Sequence, residues 1–431
     1  MIIEEWGPEG SIARRESRRI HAMRSFDENL RLYAQLTIKE GLGLAVGQEL
    51  IMVAEIDQRQ FVQLIVEEAY KAGAKNVEVL WKDPEVIKTR LRGGNDEAIA
   101  YAPTWLYDGI TQAHKDGAAR LGVASSDPQM LAGLSPERIS TSSTAQSKAT
   151  KPTSELISGF AINWCIVGAA SVDWASRVFP ELSATEGVAK LWEKIFMASR
   201  ILEEDPLAAW ATHCETLESK VVYLNELRLD ALHFTGPGTD LTVGLVEGHE
   251  WAGGRGYAKN GIRCSPNIPT EEVFTMPHRA NVNGVVSSTM PLSLRGQMVD
   301  KIRAEFKDGV AVNVTAEVGQ STFENLINTD DGARRLGEVA LVPNSCKVGQ
   351  TGTLFLNTLY DENAACHIAM GASYSENLTG IDDMTDEEKL VRGANDSLIH
   401  VDWMIGSAQI DIDGIKQDGS VVPLMRAGEW V

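Results

Sequence analysis

The sequence has few cysteines, and they lack the spacing of a disulfide framework or a zinc finger. Its 431 residues include five cysteines, an odd number, and no two of them form a CxxC pair. This usage is typical of a protein in a reducing compartment, so we expect a cytoplasmic protein. The five are Cys165, Cys214, Cys264, Cys346 and Cys366.

Long apolar runs, an excess of basic residues and the common nucleotide-binding motifs are also missing. No stretch approaches the ~20 consecutive apolar residues that span a membrane, and no charged start followed by an apolar run marks a secretory signal. The chain carries 40 basic and 60 acidic residues, for a net charge of −20, which argues against nucleic acid as a partner. Because no GxGxxG or GxxxxGK[ST] pattern opens a helix, a nucleotide site is unsupported.

The first half of the chain alternates apolar runs with amphipathic stretches, an order that predicts a parallel α/β unit. Residues 1–24 are polar and predict an arm outside the core. The runs 49–56, 76–81 and 161–170 predict buried strands, and the stretches 26–44, 59–74 and 187–202 predict helices.

The texture of the sequence changes after about residue 220, where short β-type runs are broken by glycine, proline and asparagine. We therefore predict the α/β fold class, with an N-terminal parallel α/β domain over residues 25–220 and a C-terminal mixed, β-rich catalytic domain over residues 221–431. The β-type runs are residues 231–245, 281–292, 309–317 and 351–360.

The stretch "HVDWMIGS" (residues 400–407) places a histidine and an aspartate two residues apart in a strand-like run. Alternate side chains of a strand share a face, so His400 and Asp402 lie on one side and Val401 and Trp403 on the other. An imidazole and a carboxylate on one face suit a divalent metal. A surface ion pair is the simpler alternative at this point.

Other potential ligands lie in the second half of the chain. Glu272 and Glu338 stand beside apolar runs, where an unpaired carboxylate is costly, and His367 enters a third such run. Taken singly, these are ordinary cap, ion-pair or structural residues; with His400 and Asp402 they would suffice for two divalent ions and a bridging carboxylate. The other histidines include three on charged helical or loop segments, which predicts that they face solvent: His21, His114 and His213.

Five segments of the second half carry a resemblance to a known family. The chain resembles the aminopeptidase T/aminopeptidase S family of two-metal metalloaminopeptidases from about Phe26 to its C-terminus, with an N-terminal arm longer than usual. The segments are "GTDLTVGL" (238–245), "SPNIPTEEVFT" (265–275), "TDDGARRLGEVALVP" (329–343), "NTLYDENAACHIAMGASY" (357–374) and "HVDWMIGS" (400–407).

The resemblance implies a site, a reaction and an assembly. It implies an aminopeptidase acting on peptides or amino-acid amides, a catalytic tyrosine at Tyr374, and a homodimer. Two divalent ions, Zn²⁺, Co²⁺ or Mn²⁺, would activate water, with Glu338 as the bridging ligand and proton acceptor. An aminopeptidase must also bind the free α-amine of its substrate, and a metal ion or a nearby carboxylate such as Glu271 is the candidate for that role. The implied metal ligands are Glu272, Glu338, His367, His400 and Asp402.

Two other functions stay open from the sequence. His367, His400 and Asp402 alone would form the two-histidine, one-carboxylate set of a mononuclear Fe(II) oxygenase. Ring-cleaving dioxygenases of the dihydroxypyridine type resemble this family, and Glu272 and Glu338 favour hydrolysis over that chemistry. A non-enzymatic binding protein on the same scaffold is the third alternative.

Overall fold

A computed structural model of the chain describes residues 24–294 and 297–431. The arm predicted over residues 1–24 therefore lies outside the described residues, except for Arg24. Within the described part, no helix is both long enough and apolar enough to cross a bilayer.

Four strands of the first half and one short strand of the second half form a five-stranded parallel sheet, and the predicted parallel α/β unit is present. Leu50, Met52 and Cys165 are fully buried, because strands of a sheet covered by helices bury both faces. In spatial order the strands are Asn267–Ile268, Trp164–Gly168, Ala119–Ala124, Glu49–Glu55 and Asn76–Lys82.

Helices surround this sheet, and polar side chains fix several of their starts. Ser25 accepts from Glu28 N at 3.2 Å, and Glu28 Oε2 accepts from Ser25 N at 2.7 Å, a reciprocal capping box. Ser183 and Glu186 repeat this arrangement. The helices are Phe26–Leu36, Arg59–Lys71, Pro84–Gly93, Asp96–Ala100, Thr104–Lys115, Pro136–Ser158, Val172–Val178, Ala184–Ala198 and Pro206–Leu227, with a π-helical turn at Thr37–Gly41.

The second half of the chain is β-rich and antiparallel, which confirms the predicted fold class. Its larger sheet has eight strands, and its smaller sheet carries the candidate site. Two further sheets have two antiparallel strands each: Gly256–Tyr257 pairs with Arg263–Cys264, and Leu292–Leu294 pairs with Gln297–Val299. In spatial order the large sheet contains Val310–Thr315, Arg303–Lys307, Pro277–Ser287, Thr239–Leu245, Leu229–Gly236, Asp411–Lys416, Val421–Arg426 and Glu429–Trp430.

The smaller sheet has five antiparallel strands. Its interior is dense: every residue of Leu336–Leu341 and of His367–Gly371 is buried. Short helices connect the strands of this half. The sheet order is His400–Met404, His367–Gly371, Leu336–Leu341, Val273–Thr275 and Ala252–Gly253, and the helices are Gln320–Ile327, Lys347–Gln350, Thr358–Asp361 and Asp386–Arg392.

Two segments of the second half pack with the first half. The strand Asn267–Ile268 pairs in parallel with Trp164–Gly168, and Val342, Phe355 and Tyr360 belong to the same buried cluster as the first sheet. The domain boundary near residue 220 stays a prediction, since the two halves share this core.

The β-type run predicted over residues 351–360 is wrong. The structure has an irregular loop there, followed by the helix Thr358–Asp361. The carboxylate of Asp361 accepts from Phe355 N at 2.8 Å and Asn357 N at 2.9 Å. Side-chain acceptors thus satisfy the backbone donors that a strand would have paired with a neighbour.

Candidate metal centre

The register of the small sheet gathers the predicted ligands on one face. Ala369 is opposite Glu338 on one side and opposite Asp402 on the other. His367 lies two residues before Ala369, and His400 two residues before Asp402, so period-two alternation gives all four the same face. The small side chain of Ala369 leaves the space between the two carboxylates open. Glu272 immediately precedes the strand on the far side of Glu338.

Glu338 lies between two groups of potential ligands. Its Oε1 is 3.5 Å from His367 Nε2, and its Oε2 is 3.4 Å from His400 Nε2. Glu272, Glu338 and His367 form one triad whose ligand atoms lie within 4.8 Å of one another, and Glu338, His400 and Asp402 form a second. All five implied metal ligands therefore converge, with Glu338 common to both triads.

Backbone carbonyls orient both histidines. Nδ1 of His367 lies 3.1 Å from Ala365 O, and Nδ1 of His400 lies 2.7 Å from Ala372 O. A carbonyl only accepts, so each Nδ1 carries the proton and each Nε2 faces the carboxylates. This is how outer partners orient metal-binding imidazoles.

The site concentrates buried negative charge. Glu272, Glu338, Glu362 and Asp402 are all less than a tenth exposed. Burial raises the pKa of Glu272, and the nearby Glu338 and Asp402 raise it further although His367 opposes them. Burial lowers the pKa of His367, but Glu272 and Glu338 outweigh it and hold that pKa well above its ordinary value. Such a field stabilises cations.

The donor set fits divalent metal ions. Glu272 Oε2 lies 2.9 Å from His367 Nε2, yet neither this oxygen nor Asp402 Oδ1 has a well-aligned hydrogen bond within the described residues. Because Nδ1 donates to a carbonyl, Nε2 is the ring atom that faces the carboxylates, and a bound cation would take the place of the proton that Glu272 and Glu338 favour there. Mixed imidazole and carboxylate donors suit Zn²⁺, Co²⁺ or Mn²⁺.

Tyr374 stands at the edge of the two triads. Its ring centroid is 4.6 Å from that of His400 and 6.0 Å from that of Phe274. Burial, followed by the charges of Glu338 and Asp402, holds the pKa of the phenol well above its ordinary value. Tyr374 therefore keeps its proton at neutral pH and is a hydrogen-bond donor.

Two further carboxylates of the site were not identified from the sequence. Glu362 is buried, and its pKa is raised well above its ordinary value by burial and by Asp402 and Glu272. Burial, with Glu338 and Glu272, raises the pKa of Glu376 to about 7. Glu362 lies in the same segment as His367, five residues earlier, and this proximity was the available signal.

Glu271 does not face the site. Arg200 holds it by contacts of 3.0 Å, and His213 Nε2 lies 3.6 Å away. Its backbone N–H donates to Asn363 Oδ1 at 2.6 Å. Glu271 thus anchors the chain beside Glu272, and its carboxylate is already paired.

The solvent-facing assignment is wrong for two histidines. His114 is 1% exposed and its Nδ1 lies 2.9 Å from Ala118 O. His213 Nε2 lies 2.7 Å from Thr270 O, with 11% of the side chain exposed. In each ring, one nitrogen forms a hydrogen bond with a backbone carbonyl, and this bond lowers the cost of burying the imidazole. His21 lies outside the described residues.

The two triads line a cavity of about 90 Å³. Phe160, Trp164 and Phe274 supply apolar walls, and Glu362, Tyr374 and Glu376 reach it together with all five potential ligands. An apolar pocket with a few converging polar groups is the usual form of a small-molecule site.

Comparisons with known proteins give the family. The family described as thermophilic metalloprotease (M29) matches residues 26–430. Aminopeptidase T of Thermus aquaticus is 51% identical over 409 residues, covering 95% of this chain and 100% of that protein. Aminopeptidase AmpS of Bacillus subtilis (strain 168) is 43% identical over 408 residues, covering 95% and 100%.

A solved structure agrees in fold. Wild-type AmpT from Thermus thermophilus superposes with a TM-score of 0.88 at 49% identity, covering 94% of this chain and 100% of that one. The family resemblance drawn from the sequence is confirmed. The chain therefore belongs to the thermophilic metalloprotease (M29) family and is a peptide hydrolase.

Proposed function

We propose that the chain is an aminopeptidase that removes the N-terminal residue of peptides and amino-acid amides at a two-metal centre. The observation that carries this proposal is the position of Glu338, whose two oxygens face different histidines at 3.5 and 3.4 Å. A carboxylate in that position suits the bridging ligand of a dinuclear site. Glu272 and His367 would hold one ion, and His400 and Asp402 the other.

The roles of the side chains follow from their chemistry. Two divalent ions, when bound, would polarise the scissile carbonyl and lower the pKa of the attacking water. Glu338 accepts the proton of that water and passes it to the leaving amine. Tyr374, protonated at neutral pH, donates a hydrogen bond to the oxyanion of the tetrahedral intermediate.

The substrate amine needs its own partner in an aminopeptidase. Glu271 is excluded from this role by its pairing with Arg200. Glu362 lines the cavity and stands outside both triads. We assign it to accept hydrogen bonds from the substrate ammonium, a role that an oxygen of the carboxyl group fills in either protonation state.

The assembly and location are also proposals. We propose a homodimer, as the family resemblance implies, acting on peptides in the cytoplasm. All five cysteines are free and buried, which agrees with a reducing compartment.

A mononuclear iron dioxygenase is not favoured. It would use His367, His400 and Asp402 alone, yet Glu272 lies 2.9 Å from His367 and Glu338 lies 3.4 Å from His400. The family match is to metalloproteases.

Metal analysis combined with an activity panel tests the proposal. The protein is stripped with a chelator, titrated with Zn²⁺, Co²⁺ or Mn²⁺, and assayed on amino-acid amides, dipeptides and N-acetylated dipeptides. We expect two ions per chain, restored activity at two equivalents, and no cleavage of the acetylated substrates. One iron per chain with O₂ consumption would support the dioxygenase instead.

A further inference from the structure

A second, larger cavity adjoins the candidate metal centre. Its volume is about 720 Å³, against about 90 Å³ for the cavity that contains the two triads. Tyr374 and His400 line both. The two spaces therefore meet at the residues assigned to the oxyanion and to one ion. We call the larger space the outer groove.

The outer groove lies between the two halves of the chain. One wall is the C-terminal part of the helix Pro136–Ser158, and the other is formed by residues 372–400. Ser147, Thr150 and Ser154 line it from the helix, since spacings of three and four residues share one helical face. Small hydroxyl side chains leave room and offer both donors and acceptors to a polypeptide main chain.

The charge of the outer groove is balanced. Three lysines and three acidic residues line it, and two of the lysines have acidic neighbours within the groove: Lys389 lies 3.3 Å from Asp386 and Lys151 lies 3.8 Å from Glu155. A groove with balanced charge does not favour a cationic ligand over an anionic one. It fits a neutral main chain better than an ionic ligand.

We propose that the outer groove binds the part of a peptide that follows the scissile bond. This inference rests on the proposed aminopeptidase activity and adds a preference for substrate length. An enzyme that releases one residue needs little space on the amino side of the bond and an open path on the carboxyl side. The 720 Å³ groove lies within the ~300–1,000 Å³ range of ligand sites and exceeds the space that one side chain needs.

The proposal implies that the affinity for a peptide substrate rises with the length of the peptide and depends little on its sequence. Contacts made by residues beyond the scissile bond add binding energy that an amide substrate cannot supply. We therefore expect the tetrapeptide Leu-Gly-Gly-Gly to have a higher kcat/KM than leucinamide.

A bulky side chain in the groove provides the test. Ser154 is exposed on the groove face of the helix, whereas Gln146 is exposed on the same helix and does not line the groove. In Ser154→Trp we expect the ratio of kcat/KM for Leu-Gly-Gly-Gly to that for leucinamide to fall by about tenfold or more. Gln146→Trp should keep the wild-type ratio. An equal loss on both substrates would overturn the proposal.

A binding experiment separates the groove from the reaction. Isothermal titration of Leu-Gly-Gly-Gly into Glu338→Gln protein needs no turnover. Adding Ser154→Trp should raise Kd by about tenfold or more, and adding Gln146→Trp should not. Equal Kd values for Glu338→Gln and its two double variants would overturn the proposal that the outer groove binds peptide, even if the wild type hydrolyses amides. Failure of the wild type to hydrolyse any panel member would instead overturn the proposed function.

Discussion

Arg200 holds Glu271 from two sides: Nη1 lies 3.0 Å from Oε1, and Nη2 donates to Oε2 at 3.0 Å. The two side chains are only 8% and 4% exposed. Because Glu272 is the next residue, this buried ion pair fixes the backbone from which one potential metal ligand projects.

Removing the side chain of Arg200 should destabilise the folded protein. Arg200→Met leaves Glu271 buried without its partner, and we expect the free energy of unfolding in urea to fall by about 3–5 kcal/mol. The control is Arg31→Met at the exposed Arg31–Glu67 pair, 2.9 Å apart, which should leave the urea midpoint unchanged. The double variant Arg200→Met/Glu271→Gln should recover part of the loss. Equal behaviour of the buried and exposed pairs would refute this account.

Glu338→Gln should abolish hydrolysis while keeping the fold. A neutral amide bridges two cations poorly and does not accept the proton of water, so metal content should fall below two ions per chain. Glu324→Gln, at an exposed position, is the matched control and should behave as the wild type. The measurements are elemental analysis, circular dichroism and turnover. Wild-type turnover in a folded Glu338→Gln protein would rule out the role.

The variant Tyr374→Phe tests whether the tyrosine hydroxyl donates a hydrogen bond to the substrate or binds a metal ion. The ring that packs on His400 is kept and only the hydroxyl is lost, so metal content should not change. We expect kcat to fall by ~10²–10³, the loss typical of one oxyanion donor. Tyr257→Phe, on a 70% exposed tyrosine, should have wild-type kcat. Loss of an ion from Tyr374→Phe would make the tyrosine a ligand instead.

Substitutions on the two faces of the strand His400–Met404 should have different effects, because one face carries potential metal ligands and the other packs against the core. His400→Ala should weaken one ion and remove most activity. Val401, on the opposite face, is partly buried against the core of the second half, and Val401→Ala should cost about 1 kcal/mol of unfolding free energy with metal content intact. Elemental analysis, turnover and urea unfolding of both variants give the answer. A fully active, fully metallated His400→Ala protein would disprove the metal assignment.

The sequence predicted elements well where one local signal dominated. The runs around Leu50 and Cys165 are strands because dense apolar segments between amphipathic helices have few other solutions. The run 351–360 failed because Asp361 and Asn357 supply side-chain acceptors that replace a strand partner. His114 was misjudged because one carbonyl, that of Ala118, is enough to bury an imidazole.

The site could be predicted only in part. Period-two alternation placed His400 and Asp402 on one face, but convergence with Glu338 depends on a strand register through Ala369 that no sequence spacing reveals. Glu362 and Glu376 were not identified because proximity in sequence to His367 and Tyr374 does not by itself distinguish a cavity carboxylate from a solvated one.

The short strand Asn267–Ile268 connects the candidate metal centre to the parallel sheet of the first half. It pairs with Trp164–Gly168 in the first sheet, and five residues after its start Glu272 enters the small sheet. Glu272 therefore follows closely on a strand of the first sheet, whereas His400 and Asp402 lie on a strand of the small sheet. In the proposed two-metal centre, we expect the ion at Glu272 and His367 to be the more sensitive of the two to changes in the N-terminal half, and Glu338 would pass part of that sensitivity to the other ion.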